Sequence, residues 1–132
     1  MIDWMIEVCA SFRCSERTWF LATAIFDKYL STIKGKRVLK NSDVHGLGIT
    51  AMYVASKYED VCPINSMIAH EKISHKAISQ AEILRYEKEF LLTMDFDLDI
   101  VSPYDIHQYL FIVLKCALNI SLASEVDILN KI

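Results

Sequence analysis

Three glycines and two prolines in 132 residues are too few for a chain built of turns. All-β folds need turn residues every few positions, so that class is excluded. No basic block offsets the net charge of −3, which leaves no electrostatic footprint for nucleic acid. No apolar run reaches the length of a membrane span. Met1-Ile2-Asp3-Trp4 does not read as a signal peptide, so no membrane partner is expected. The four cysteines, Cys9, Cys14, Cys62 and Cys116, form no CxxC pair. Three sit in apolar, helical surroundings, and the expectation is reduced core thiols in an intracellular protein. Among the four histidines, only His70 and His75 lie close, five apart across a helix break, and Cys62 is too loosely placed to complete a metal set. No metal or cofactor is expected.

What the chain does have is helical pattern. Apolar residues make up 53% and charged residues 23%, the balance of a globular chain of about one domain. Residues 1–13 read as a helix with Ile2, Met5, Ile6 and Cys9 on its apolar face, widened by Trp4, Val8 and Phe12. Ser15 caps a second helix to about Ile33, with Phe20, Leu21, Ala24, Ile25, Tyr29 and Leu30 inward and Gly35 as its stop. A polar loop follows over 34–42. A third helix begins near Val44, capped by Asn41 or Ser42, and closes before Cys62-Pro63. Asn65 or Ser66 starts a short fourth helix to about Lys72. Ser79-Gln80-Ala81-Glu82 is a capping box that opens a fifth helix to about Met94, with Ile83, Leu84, Phe90, Leu91 and Met94 inward. Asp95-Phe96-Asp97-Leu98 leaves it extended. Ser102-Pro103 starts a sixth helix to about Leu118, and Leu122–Ile132 forms a further segment.

The third helix is small and apolar for most of its length, through Gly46, Gly48, Ala51, Met52, Val54 and Ala55. A helix apolar nearly all round belongs inside a protein. Its character changes within one turn, to Lys57, Glu59 and Asp60. Two readings of Lys57 stand on these residues alone. It complements the negative end of the helix dipole, or it is a charge held out to a partner on a buried rod.

Three blocks resemble the cyclin family. Ile2-Asp3-Trp4-Met5-Ile6-Glu7-Val8 is similar to LVDWLVEV, Ala51–Asp60 to AxxLASKFEE, and Leu84-Arg85-Tyr86-Glu87 through Leu98 to LRMExxxLxxLxFDL. The resemblance covers residues 1–101 and implies an all-α, five-helix cyclin box around a central third helix. Residues 102–132 would be the start of a truncated C-terminal cyclin fold. It implies a regulatory subunit, not an enzyme, that binds and activates a cyclin-dependent protein kinase and controls cell-cycle progression in the nucleus, the cytoplasm or both. Lys57 and Glu87 stand at the family's kinase-contact positions, with Val54, Tyr58, Leu91, Phe96 and Leu98 as apolar neighbours. For the last three, a plain core role is the alternative.

The family's substrate-docking groove is represented by Trp4 and Glu7, but His45 and Gly46 stand where glutamine and leucine are expected. Substrate or inhibitor peptides are therefore secondary candidates as partners. Of the MRAIL motif only Met1 remains, so Asp27 loses its usual arginine and must find water or another cation. A cyclin-fold transcription factor or a transcriptional cyclin, acting as a protein/DNA interaction module, is the competing reading; it needs a basic face that the net charge does not supply. Asp95, Asp97 and Asp99 form an acidic loop without the surroundings of an acid–base site.

Overall fold

The structure, a computed structural model, describes residues 1–36 and 38–118. The helices are α1 (Ile2–Ser11), α2 (Glu16–Ile33), α3 (Asn41–Glu59), α4 (Ser66–Ile68), α5 (Gln80–Thr93) and α6 (Pro103–Leu118). A π-helical turn, Ala69–Ile73, continues α4. No strand occurs among the described residues. One compact unit spans Met1–Ser102 and a second begins at Pro103. The segment read as Leu122–Ile132 lies outside the described residues.

α3 is the centre of the first unit. Every residue from Gly46 to Ser56 is buried. It packs most extensively on α2 and then on α5. Close approach needs the missing side chain at Gly46, where a Cβ would stand 3.1 Å from Ile78 Cδ1 and 3.3 Å from Tyr86 Cε2. Tyr29 of α2 is fully buried against Phe90 of α5, and its hydroxyl donates to Glu89, which ties those two helices together.

Several helix boundaries differ from the sequence-based reading, each for a local reason. α3 starts at Asn41, not near Val44, because Asp43 reaches back and accepts the Lys40 N–H at 3.1 Å. Asn41 and Ser42 therefore lie inside the first turn and do not cap it. At α4, Asn65 is the cap, taking the Ile68 N–H at 2.8 Å. On α1 the buried stripe is Met5, Val8 and Cys9, while Ile2 and Ile6 are exposed. On α5, Tyr86 is buried and Leu84 is exposed. Asp95 and Phe96 do not run extended. Both have left-handed backbone, φ 52° and 59°, so that the Phe96 N–H returns to the Leu91 carbonyl at 2.8 Å and closes the helix end. All four cysteines are free, but only Cys9 is a core residue; Cys14 is half-buried, Cys62 lies exposed in the loop after α3, and Cys116 is exposed on α6.

The capping box at α5 forms in both directions. The Glu82 N–H donates to Ser79 Oγ at 3.2 Å, and the Ser79 N–H donates to Glu82 Oε2 at 2.9 Å. The bond from the Ser79 N–H holds the Glu82 carboxyl below its ordinary range. Ser79→Ala is expected to cost about 1 kcal/mol, read as a lower denaturation midpoint at unchanged slope.

Candidate functional site

At the end of α3 the chain leaves the core, and Lys57 is the first side chain to emerge. It does not extend freely into solvent. Its Nζ donates to Glu87 Oε1 on α5 at 2.6 Å, with the Tyr53 ring centroid 5.0 Å away. The Glu87 hydrogen bond raises the lysine above its ordinary value, against a smaller opposing effect of burial. The Lys57 side chain is 46% exposed and that of Glu87 14%. The two charges thirty positions apart are therefore one ion pair bridging α3 and α5.

Beneath the pair lies a shallow cavity of about 170 Å³, lined by Val54, Lys57, Tyr58, Glu87, Leu91 and Leu98. Val54 and Leu98 are buried and Leu91 is half-buried, which gives the cavity an apolar floor. Tyr58 is 54% exposed. Six of the seven residues singled out for this face thus converge on one depression. The seventh, Phe96, does not line it and stands 64% exposed on its left-handed backbone. A bulky residue in that region is strained by about 1–3 kcal/mol, and such strain collects at functional surfaces.

A network that the sequence reading missed fixes the end of α3. The Asp60 carboxylate accepts the Ser15 N–H at 3.0 Å and the Thr18 hydroxyl at 2.7 Å through Oδ1, and the Ser56 hydroxyl at 2.9 Å through Oδ2. Arg17 pairs with Glu59 at 3.4 Å. Burial alone would push the Asp60 carboxyl up, but these donors together hold it below its ordinary range. The end of α3 is thereby fastened to the start of α2. The signal in the sequence was the Ser15/Thr18 pair at the α2 cap, which supplies more donors than one cap uses.

The residues of the second face fall elsewhere. Trp4 and His45 meet with ring centroids 4.6 Å apart, tilted by 42°. Trp4 and Glu7 line a cavity of about 290 Å³ with Val8, Ser11, Phe12, Lys72, Ile73 and His75. His45 touches Trp4 without lining that cavity. Asp27 is exposed to solvent. In the acidic loop, Asp97 pairs with Lys28 at 3.6 Å. Among the described residues no His, Cys, Asp or Glu cluster could hold a metal ion, and no helix is long and apolar enough to cross a membrane.

Residues 1–99 match the N-terminal domain of cyclins. Cyclin-B2-1 of Oryza sativa subsp. japonica is 35% identical over 105 residues, 79% of this chain and 24% of the relative. The G2/mitotic-specific cyclin-B of Emericella nidulans is 34% identical over 104 residues, 78% of this chain and 20% of the relative. The G2/mitotic-specific cyclin-B3 of Gallus gallus is 31% identical over 119 residues, 89% of this chain and 27% of the relative. The chain thus spans about a quarter of the length of the curated relatives it matches. An all-helical unit wrapped around one buried helix, with matching sequence across that unit, is a cyclin box. The chain belongs to the cyclin family.

Proposed function

We propose that this chain binds and activates a cyclin-dependent protein kinase and so acts in cell-cycle control, within the nucleus or cytoplasm. The observation that carries this reading is the convergence of Val54, Lys57, Tyr58, Glu87, Leu91 and Leu98 on one cavity, with Tyr58 more than half exposed at its edge. Three of the relatives named as G2/mitotic-specific cyclins, those of Emericella nidulans, Gallus gallus and Caenorhabditis elegans, support the cell-cycle assignment.

The chemistry is indirect. A protein kinase needs its Lys–Glu ion pair assembled and its activation loop placed before phosphoryl transfer proceeds. A partner that binds the active arrangement better shifts the population toward it. A preformed helical face suits that task, since little binding energy is lost in ordering it. Lys57 and Glu87 would exchange part of their mutual hydrogen bonding for groups on the kinase, while Tyr58 and Phe96 exclude water around them.

Titration of the full chain against a panel of cyclin-dependent kinases tests the proposal. Binding to one kinase together with a rise in its activity is expected; capture of DNA or general transcription machinery with no kinase binding would overturn it. Phe96→Gly separates fold from docking. Glycine adopts left-handed backbone without the penalty a side chain carries. The variant is expected to keep an unfolding midpoint at or above that of the wild type and to bind the kinase more weakly.

A further inference from the structure

α1 ends in an arrangement that brings two thiols together. Arg13 has left-handed backbone, φ 55°. Its N–H bonds to the Ala10 carbonyl at 3.2 Å, and the Cys14 N–H reaches back to the Cys9 carbonyl at 2.9 Å. This pair of bonds is a Schellman motif, which sets the residue just beyond the helix against the one a turn inside it. Those two positions are usually filled by a hydrophobic contact. Here they are Cys14 and Cys9, whose backbones are joined by that bond and whose side chains line one cavity.

Two further features separate this contact from ordinary packing. Both cysteines line a cavity of about 430 Å³ between α1 and α2, shared with Ile6, Ala10, Trp19 and Phe20. A small oxidant therefore has a route to them. The thiols also differ in character. The hydrogen bond from Cys9 holds Cys14 below the usual thiol range, against burial and the Asp60 carboxylate. The same bond, with burial, holds Cys9 well above that range. Thiolate is the nucleophilic form of cysteine, and Cys14 is half-buried whereas Cys9 is buried, so the more accessible Cys14 is the attacking member and Cys9 the resolving one.

We propose that Cys9 and Cys14 form an oxidant-sensitive dithiol that closes to an intrachain disulfide on exposure to a hydroperoxide. The Cys14 thiolate attacks the outer peroxide oxygen, the O–O bond breaks, and the departing alkoxide or hydroxide is protonated. Cys14 is left as the sulfenic acid. The Cys9 sulfur then attacks the Cys14 sulfur; the S–O bond breaks, and the hydroxide leaves as water with the Cys9 proton. Two thiols and one hydroperoxide become one disulfide, one alcohol or water, and one further water. Cys62 and Cys116, both free and exposed, serve as internal controls.

Hydrogen peroxide treatment of the full chain, followed by non-reducing tryptic digestion, tests the proposal. Cleavage after Arg13 separates the two cysteines, so the disulfide appears as a linked pair of peptides. The expected product is that pair, with the intact chain two hydrogens lighter and dithiothreitol restoring it. A linkage through Cys62 or Cys116, a linkage between chains, or unmodified Cys9 and Cys14 would overturn it. Phenylarsine oxide, which needs two adjacent thiols, gives a second reading on the unaltered protein. It is expected to protect Cys9 and Cys14 from alkylation and leave Cys62 reactive; protection of neither thiol counts against the pair. Cys14→Ser is expected to abolish both the linked peptides and the arsenical protection.

Discussion

Exchanging the charges at the mouth of the α3–α5 cavity, Lys57→Glu with Glu87→Lys, is expected to leave the domain folded and to weaken kinase binding about tenfold or more, or at least about 1.4 kcal/mol. The wild-type pair is direct, at 2.6 Å, but the lysine is nearly half exposed. Pairs of that kind contribute about 0–1 kcal/mol to stability. The exchanged pair restores the same bridge between the helices with opposite polarity, so the fold keeps its contact and the partner meets the wrong sign at both positions. Charged residues at the centre of an interface, ringed by apolar groups, carry a large share of binding energy and of discrimination. Titration calorimetry against the cognate kinase, beside a thermal unfolding curve, reads the two effects separately. Unchanged affinity in a well-folded exchange variant would sink the docking proposal. A loss of affinity that follows a loss of structure would show the pair to be a structural clasp.

Asp60→Ala is expected to be the more damaging change to the fold, costing about 2 kcal/mol, the scale of removing a charge-assisted hydrogen-bonding group. The carboxylate accepts three donors from two helices, and the substitution takes that acceptor from the Ser15 N–H and from the buried Thr18 and Ser56 hydroxyls. Its pH dependence has a definite direction. The carboxyl is held below its ordinary range in the folded chain. Its contribution is therefore fully present above the unfolded carboxylate value and is lost as pH falls through the lowered folded value. Urea midpoints measured from neutral pH into the acid range should show the wild type losing more stability than Asp60→Ala. Parallel curves for the two proteins would mean that the network does not hold the carboxylate charged.

Much of this arrangement is legible in the sequence because it depends on neighbours along the chain. Ser15, Asn65 and Ser79 fill their capping positions through residues three places away. The burial of α3 follows from its own small, apolar composition. The direct bond between Lys57 and Glu87 was not legible, since thirty residues separate them and only the packing of α3 on α5 joins them. Their place among the candidate contact residues rests on the likeness to cyclins and not on periodicity. The start of α3 was misread because the cap works backwards, from Asp43 to the Lys40 N–H. The left-handed turn at Asp95 and Phe96 was missed because no glycine marks it. The nearness of Cys14 to Cys9 was hidden for a related reason. A spacing of five is not a helical neighbour spacing, and it becomes a contact only when Arg13 turns left-handed.

The enclosure of α3 bears on motion as well as on packing. With every side chain from Gly46 to Ser56 covered, there is no exposed flank about which that segment could roll, and no apolar stripe along which it could slide. Such a helix opens only when the unit opens as a whole, at the upper end of its local stabilities. The lysine at its tip then has no soft hinge behind it. Any partner that docks there must fit itself to the cyclin box, and the adjustment falls on the partner.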